Sequence, residues 1–572
     1  MLFALLLAVT PADSLHSLID RDWAYRMAES PQFATYSGVH DQDDKLGHVD
    51  EASQQRRLKQ LKQFSAELQA IPKGELLRPD QVNAEVLAEE LRARIEHLEM
   101  RQYLITIQGD ESFYSGLSHM PRSQPLNNAV EYDRYIKRLR EVPRLFDENL
   151  ELMRVGLKLG MTPPQVILKG REKAALQHVV SDPHKSVFYA PFDKMPAAIS
   201  PADAARLRAA GEAAIREAVV PAYAKVARFL TEEYIPGARK GIAASELPGG
   251  REYYLSQIRE YVTKPMTPDE IHALGLREVA RIRAEMETIK TEVGFKGSLG
   301  EFFVYLRKDP QFYAKTPEEL LMRASYIAKM IDGMLPKFFG VLPRLPYRVE
   351  AVPADIAPFY TGGRYVGAAE GSGEPGTYWV NTYDLPSRPL YVLPALTLHE
   401  AVPGHHLQIA LAAEQTGLPP FRRHSYFSVT GEGWGLYSER LGEEMGIYKT
   451  PYERFGRLTY EMWRACRLVV DTGMHALGWP REKAIAFMRD NTALSEHEIE
   501  TETDRYIGWP GQALSYKIGE LAIRELRRKA EVALGPRFDK RKFHDAILST
   551  GSVPLPVLEE EIDRFINQSQ TH

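Results

Sequence analysis

Along most of the chain apolar residues recur every three or four positions, the spacing that lays them on one face of an α-helix. Such runs cover residues 81–100, 129–157, 202–233, 268–292, 451–477 and 513–533, all too long for strands. Two helix openings are explicit. Thr267 and Thr316 each precede a proline and carry a glutamate three positions on, Glu270 and Glu319, so that cap and glutamate satisfy the first unpaired amides. The pattern changes between residues 342 and 390. There 347–352, 363–369 and 377–382 are short, β-prone and divided by Pro and Gly clusters. The expected fold is therefore mainly α, with one small sheet near residues 345–385. The glycine-rich segment 369–376 between the last two strands reads as a turn or loop, because no helix opens directly after it to cradle a phosphate.

Composition narrows the class. With 44% hydrophobic and 26% charged residues, the 572-residue chain is a folded globular protein rather than a disordered, collagenous or disulfide-stapled one. Its 72 Lys and Arg against 77 Asp and Glu leave no basic excess to neutralise phosphates, so no nucleic-acid partner is expected. Cys466 is the only cysteine, which excludes an intramolecular disulfide, a four-thiolate zinc site and an iron–sulfur cluster. Any metal must then sit on nitrogen and oxygen.

The amino-terminal segment 1–12 carries an apolar run, residues 2–9, of signal-peptide length but with no Lys or Arg before it. It reads as a truncated or atypical export signal, against an ordinary buried segment, and favours a periplasmic or secreted location over a cytoplasmic one. No later stretch has the length and apolarity for stable membrane insertion. Composition places a boundary near Pro248-Gly249-Gly250, dividing an amino-terminal helical scaffold, 13–250, from a region 251–572 that holds the candidate chemistry.

That chemistry centres on three histidines within eight residues: His399, His405 and His406. His399-Glu400 opens the H-E-x-x-H zinc signature, in which histidines one helical turn apart share a metal and the glutamate works on water. The fifth position is Pro403 instead. On an unbroken helix His405 and His406 would stand about 240° and 340° around the axis from His399 and up to about 10 Å along it, a poor chelate. Pro403 and Gly404, however, are the residues that interrupt a helix, and a kink or bulge there can return His405 to the second ligand position, with His406 as its rival. Glu432, 27 positions after His405, is the candidate third ligand. Its flanking glycines, Gly431, Gly433 and Gly435, allow close approach of a metal or helix. Glu439 lies on nearly the same face and can orient a histidine.

These residues resemble a bacterial family known only as domain of unknown function 885, whose members look like relatives of gluzincin-type zinc peptidases. The resemblance runs from Ile19-Asp20-Arg21-Asp22-Trp23 through His399-Glu400, Glu432-Gly433-Trp434 and Val470-Asp471-Thr472-Gly473-Met474-His475 to the segment from Arg505 to Lys517. It implies a large helical, clefted metallopeptidase-like fold, zinc on His399, His405 and Glu432, Glu400 as general base, and a peptide substrate. It also implies a sheet edge at residues 378–381, with Tyr378 and Asn381, on which an extended peptide adds as a strand. Donors to a developing oxyanion are sought among His475, Arg505, Tyr506, Tyr516 and Lys517.

The expected activity is zinc-dependent peptide hydrolysis. An Fe(II) oxygenase using two histidines and a carboxylate explains the same ligand types but gives Glu400 no task. A non-catalytic metal- or peptide-binding relative draws its support from Pro403.

Overall fold

The computed structural model describes residues 10–108, 111–354, 356–368 and 374–571. The apolar run at 2–9 and most of the glycine-rich segment 369–376 lie outside the described residues. The described chain is mainly α, with a three-stranded sheet and a two-residue antiparallel ladder, Ile107–Gln108 against Glu111–Ser112, that the hydrophobic pattern did not foretell. It divides into two units. One takes in the described residues up to Ile242 together with Glu246–Gly250; the other takes in Ala243–Ser245 and the described chain from Arg251 onward.

The first unit is helical, with Leu87, Leu91, Tyr135, Phe146 and Tyr223 fully buried in its core. Prolines subdivide its long helical runs. The run at 129–157 is two helices, Ala129–Arg140 and Val142–Leu159, because Pro143 has no N–H to continue the ladder and its ring collides with the carbonyl four residues back. The run at 202–233 stays helical but widens to π-turns at Ile215–Val219 and Leu230–Tyr234. Each π-turn leads directly into a segment whose first turn holds a proline, Pro221 or Pro236, which makes room for the missing donor.

The second unit carries the candidate site. Its principal helices are α1 (Pro268–Glu292), α2 (Leu393–Glu400), α3 (His405–Glu414), α4 (Ser428–Glu444), α5 (Pro451–His475), α6 (Glu496–Gly508) and α7 (Ser515–Leu534). The Thr267 capping box is complete: Glu270 N–H donates to the threonine hydroxyl and the glutamate accepts from Thr267 N–H. Helix α5 is buried over most of its length, with α1 packed along it where Gly275 meets Leu468 and Val469. Helices α4 and α7 touch backbone to backbone. A Cβ added to Gly433 would fall 2.5 Å from Gly519 Cα, so the pair tolerates no side chain at the crossing.

The sheet consists of β1 (Tyr347–Ala351), β2 (Gly363–Val366) and β3 (Gly376–Val380) in the order β1-β3-β2. β3 is parallel to β1 and antiparallel to β2, with Tyr378 opposite both Val349 and Tyr365. This overturns the expected sheet edge at 378–381. β3 is the central strand, paired on both sides, and Tyr378 is fully buried with its hydroxyl 3.3 Å from Thr397 Oγ1 of α2. Asn381 is a clamp instead of a peptide contact: its side-chain amide donates to the carbonyls of Ala357, Tyr360 and Thr361 at 2.9, 2.9 and 3.0 Å. The outer strands of the sheet are β1 and β2.

Candidate metal centre

Helix α2 is apolar on every side apart from its last turn, and all eight of its residues are buried. It ends at Glu400 because Ala401 leaves the helical region (φ −90°, ψ −113°), and the turn 401–404 follows before α3 starts at His405. The interruption is therefore a full break rather than a kink in one helix. Gly404 is obligatory in it: an added Cβ would lie 1.9 Å from the His399 carbonyl oxygen. The turn is pinned from α4, where Trp434 Nε1 donates to the Pro403 carbonyl at 2.7 Å. That contact explains why a tryptophan stands two residues after Glu432.

The break brings three side chains to one focus. His399 Nε2 and His405 Nε2 lie 3.4 and 3.3 Å from the same oxygen, Glu432 Oε2, and the donor atoms of all three residues fall within 4.8 Å of one another. The two imidazoles meet nearly at right angles, centroids 4.8 Å apart. Ligand atoms held about 2.0–2.1 Å from a tetrahedral ion stand about 3.3–3.4 Å from each other, so the two spacings are those of a zinc site's edges. His406 does not join. Neighbouring helical residues point about 100° apart, and His406 turns to the sheet, its Nδ1 3.0 Å from the Tyr365 hydroxyl and its ring against Tyr347. Burial there pushes its imidazole down to about 4, which keeps it neutral.

Two carboxylates prepare the cluster. Glu439 Oε1 accepts from His399 Nδ1 at 2.8 Å, which orients the ring so that Nε2 is the nitrogen facing Glu432. Burial pulls the His399 imidazole down, yet hydrogen bonds to Glu432 and Glu439 outweigh it and lift the group to about 9. Glu432 is desolvated too, but the two histidines hold it well below the usual carboxylate range. The pocket thus favours positive charge beside Glu432. Glu400, next to His399, is buried and anchored: its Oε2 accepts the Tyr365 N–H of strand β2 at 2.8 Å. Gly435 permits the packing, since a Cβ there would sit 2.7 Å from the His399 ring.

A model of a bacterial protein family of unknown function, DUF885, matches residues 31–562. The chain belongs to the DUF885 family. No curated protein matches it. Two solved structures are similar, each described as a "putative lipoprotein". The one from Colwellia psychrerythraea is 29% identical with a TM-score of 0.91, covering 98% of this chain and 100% of its own. The one from Shewanella oneidensis, described as of unknown function, is 21% identical with a TM-score of 0.71 and covers 97% and 99%.

In this DUF885 chain most of the expected oxyanion donors are engaged elsewhere. His475 is fully buried and bonded through both ring nitrogens, to Ala244 N–H and the Tyr506 carbonyl, each at 3.0 Å. Tyr506 hydroxyl donates to Glu502 at 2.8 Å and accepts from Trp463 and Arg467. Arg505 is tied to Glu502 and Gln512. Lys517 is fully buried among Glu461, Glu520 and Glu278, at 2.8, 2.9 and 3.0 Å. These four hold the fold together, because each polar group already has internal partners.

Tyr516 alone of that set reaches the centre. Its ring stacks 6.3 Å from His399, and its hydroxyl makes no hydrogen bond among the described residues. Tyr426, which no motif marked, also faces the site: its hydroxyl donates to Glu432 Oε1 at 3.3 Å, and its ring packs on Gly431. Its position six residues before Glu432 bears no helical relation to the ligand, so spacing gave no signal. A second group of possible metal donors, exposed His48 with half-buried Asp50 and Glu148, lies in the first unit. There Arg144 already pairs with Glu148 at 2.8 Å and meets His48 at 3.0 Å, which marks a surface ion-pair cluster.

Proposed function

We propose that this chain is a zinc-dependent peptidase of the gluzincin type, with His399, His405 and Glu432 holding the metal. The observation that carries the reading is the approach of two imidazole nitrogens to one Glu432 oxygen at tetrahedral-edge spacing, with Glu400 directly beside a ligand. Bound zinc would supply Lewis acidity, polarising a carbonyl and making water nucleophilic near neutral pH.

The remaining steps fall to the chain's own residues. Glu400 accepts a proton from the attacking water and returns it to the leaving amine. The Tyr365 N–H occupies Oε2, which leaves Oε1 to carry that proton. Glu439 fixes the His399 tautomer, and Tyr516, whose ring stacks on His399, is the donor to the oxyanion in this reading. Strand β2, whose Tyr365 amide already meets Glu400, is the sheet edge nearest the base and the natural place for an extended peptide to pair.

The same donor set could hold Fe(II) for oxygenation, but that reading gives Glu400 no role. An envelope location is supported by the lipoprotein description of both structural relatives, and no described helix is long and apolar enough to cross a membrane. The test compares metal content and cleavage of a peptide library by wild type, His399→Ala and Glu400→Gln. Loss of metal in the first and loss of cleavage with metal retained in the second support the proposal. Cleavage by Glu400→Gln at the wild-type rate refutes it, and iron-dependent oxygen uptake without cleavage favours the oxygenase.

A further inference from the structure

A cavity lies in the second unit beside the amino-terminal half of α2. Its walls are largely apolar and aromatic, with Leu393, Leu396, Tyr391 and Tyr460 among them, and it also exposes Arg388 and Glu498. The cavity is distinct from the metal centre, whose three ligands do not line it.

The two charged side chains stand apart from the others on the wall. Arg307 is anchored to the carbonyls of Thr492 and Ala493 at 2.9 and 3.3 Å, and Glu496 pairs with Arg489 at 2.7 Å. The Arg388 guanidinium, in contrast, makes no hydrogen bond or ion pair among the described residues, and its Nε is buried without a partner. The Glu498 carboxyl makes none either. Burial pushes Glu498 up to about 7 and the Arg388 charge opposes that rise, yet the two do not come within 4.0 Å. A guanidinium and a carboxyl that line one cavity without meeting are best satisfied by a ligand carrying both complementary groups. A simple anion would satisfy Arg388 and confront Glu498, and a simple cation would do the reverse. The guanidinium fork matches a carboxylate, the carboxyl matches an ammonium, and the leucines and tyrosines accommodate a hydrocarbon side chain.

We infer that this cavity binds a zwitterionic amino acid or dipeptide with an apolar side chain, its α-carboxylate on Arg388 and its α-ammonium on Glu498. The site stands independently of the peptidase reading, although such ligands are also what peptide hydrolysis releases.

The test is calorimetric titration of L-leucine, leucyl-leucine, N-acetyl-leucyl-leucine and leucyl-leucine amide. The hosts are wild type, His399→Ala and, to keep the dipeptide intact, Glu400→Gln. Blocking either end should weaken binding by roughly tenfold or more, and binding should persist in His399→Ala. Arg388→Met should erase the preference for acid over amide, and Glu498→Gln the preference for free over acetylated amine, with both variants folded by circular dichroism. Tighter binding of the amino acid or of the dipeptide identifies which of the two is the ligand, and either supports the site. Equal binding of blocked and free forms, binding by no member of the set, or wild-type selectivity in both folded variants overturns it.

Discussion

The cluster around His399 and the cluster around Glu502 are both buried, charged and rich in aromatic rings, but they dispose their polar atoms differently. Around Glu502 the acid takes hydrogen bonds from Arg467, Arg505 and Tyr506, and these hold it down to about 2 despite its burial. His475, bonded to the Tyr506 carbonyl, and Lys517, held by Glu461, Glu520 and Glu278, likewise have their polar atoms engaged, with only Arg467 Nη1 of this set buried without a partner. Around His399 three potential ligand atoms converge on a single point; the far sides of His399 and Glu432 are tied down by Glu439 and Tyr426, while His405 Nδ1 has no hydrogen-bond partner among the described residues. A polar network closed on itself stabilises and orders a core, whereas convergent donors held open by outer partners are suited to bind something. Burial and charge do not separate the two kinds of site; the direction of the unused lone pairs does.

The sharpest way to break this contrast is to remove the proposed base. Glu400→Gln should keep its metal while peptide cleavage falls by roughly 10²- to 10⁴-fold, measured by initial rates alongside elemental analysis. An equal loss of metal would make Glu400 structural and erase the distinction.

Lys517→Met probes the closed side. Leaving Glu461, Glu520 and Glu278 without their shared cation should cost about 3–5 kcal/mol in urea denaturation. Zinc per folded chain should not change. A zinc deficit in the folded variant would show that the two clusters are one.

Asp471, also on the closed side, predicts a pH dependence. Burial pushes its carboxyl up to about 7 against the Tyr254 hydroxyl and the Gly511 N–H that favour its charge. The folded state therefore keeps a proton that the unfolded chain releases at its ordinary pKa, near 4. The associated stability is full below that value and is lost as pH rises through 7, by a few kcal/mol in order of magnitude. Asp471→Asn keeps both hydrogen bonds and should flatten the dependence of Tm on pH between 4 and 7. An unchanged profile would assign the dependence to another group.

The smallest effect belongs to Glu439→Gln. It should weaken zinc by about 10- to 100-fold in chelator competition, without the large loss of stability expected for Lys517→Met.

Much of this was legible in the sequence because it is local. Helical periodicity, the Thr267 box and the β-prone segments reappear as elements, and the glycines around Glu432 indeed stand where a helix and an imidazole come close. What was not legible depends on distant partners. Tyr378 sits in a β-prone segment, but whether that strand is central or at an edge is decided by β1, some thirty positions away, and nothing in the segment's own residues records it. His405 and His406 are chemically alike, and only the place where the backbone re-enters a helix after Gly404 separates ligand from sheet contact. His475, Tyr506 and Lys517 carry the residue types of catalysis, and only their saturated contacts show otherwise.

The most direct test is elemental analysis of the purified wild-type chain, with X-ray absorption at the metal edge, beside His405→Ala. One zinc per chain with nitrogen and oxygen neighbours, lost in His405→Ala while the fold persists, is the predicted result. A folded wild type that takes up no zinc when supplied, or a His405→Ala chain that holds it as tightly, would contradict the account.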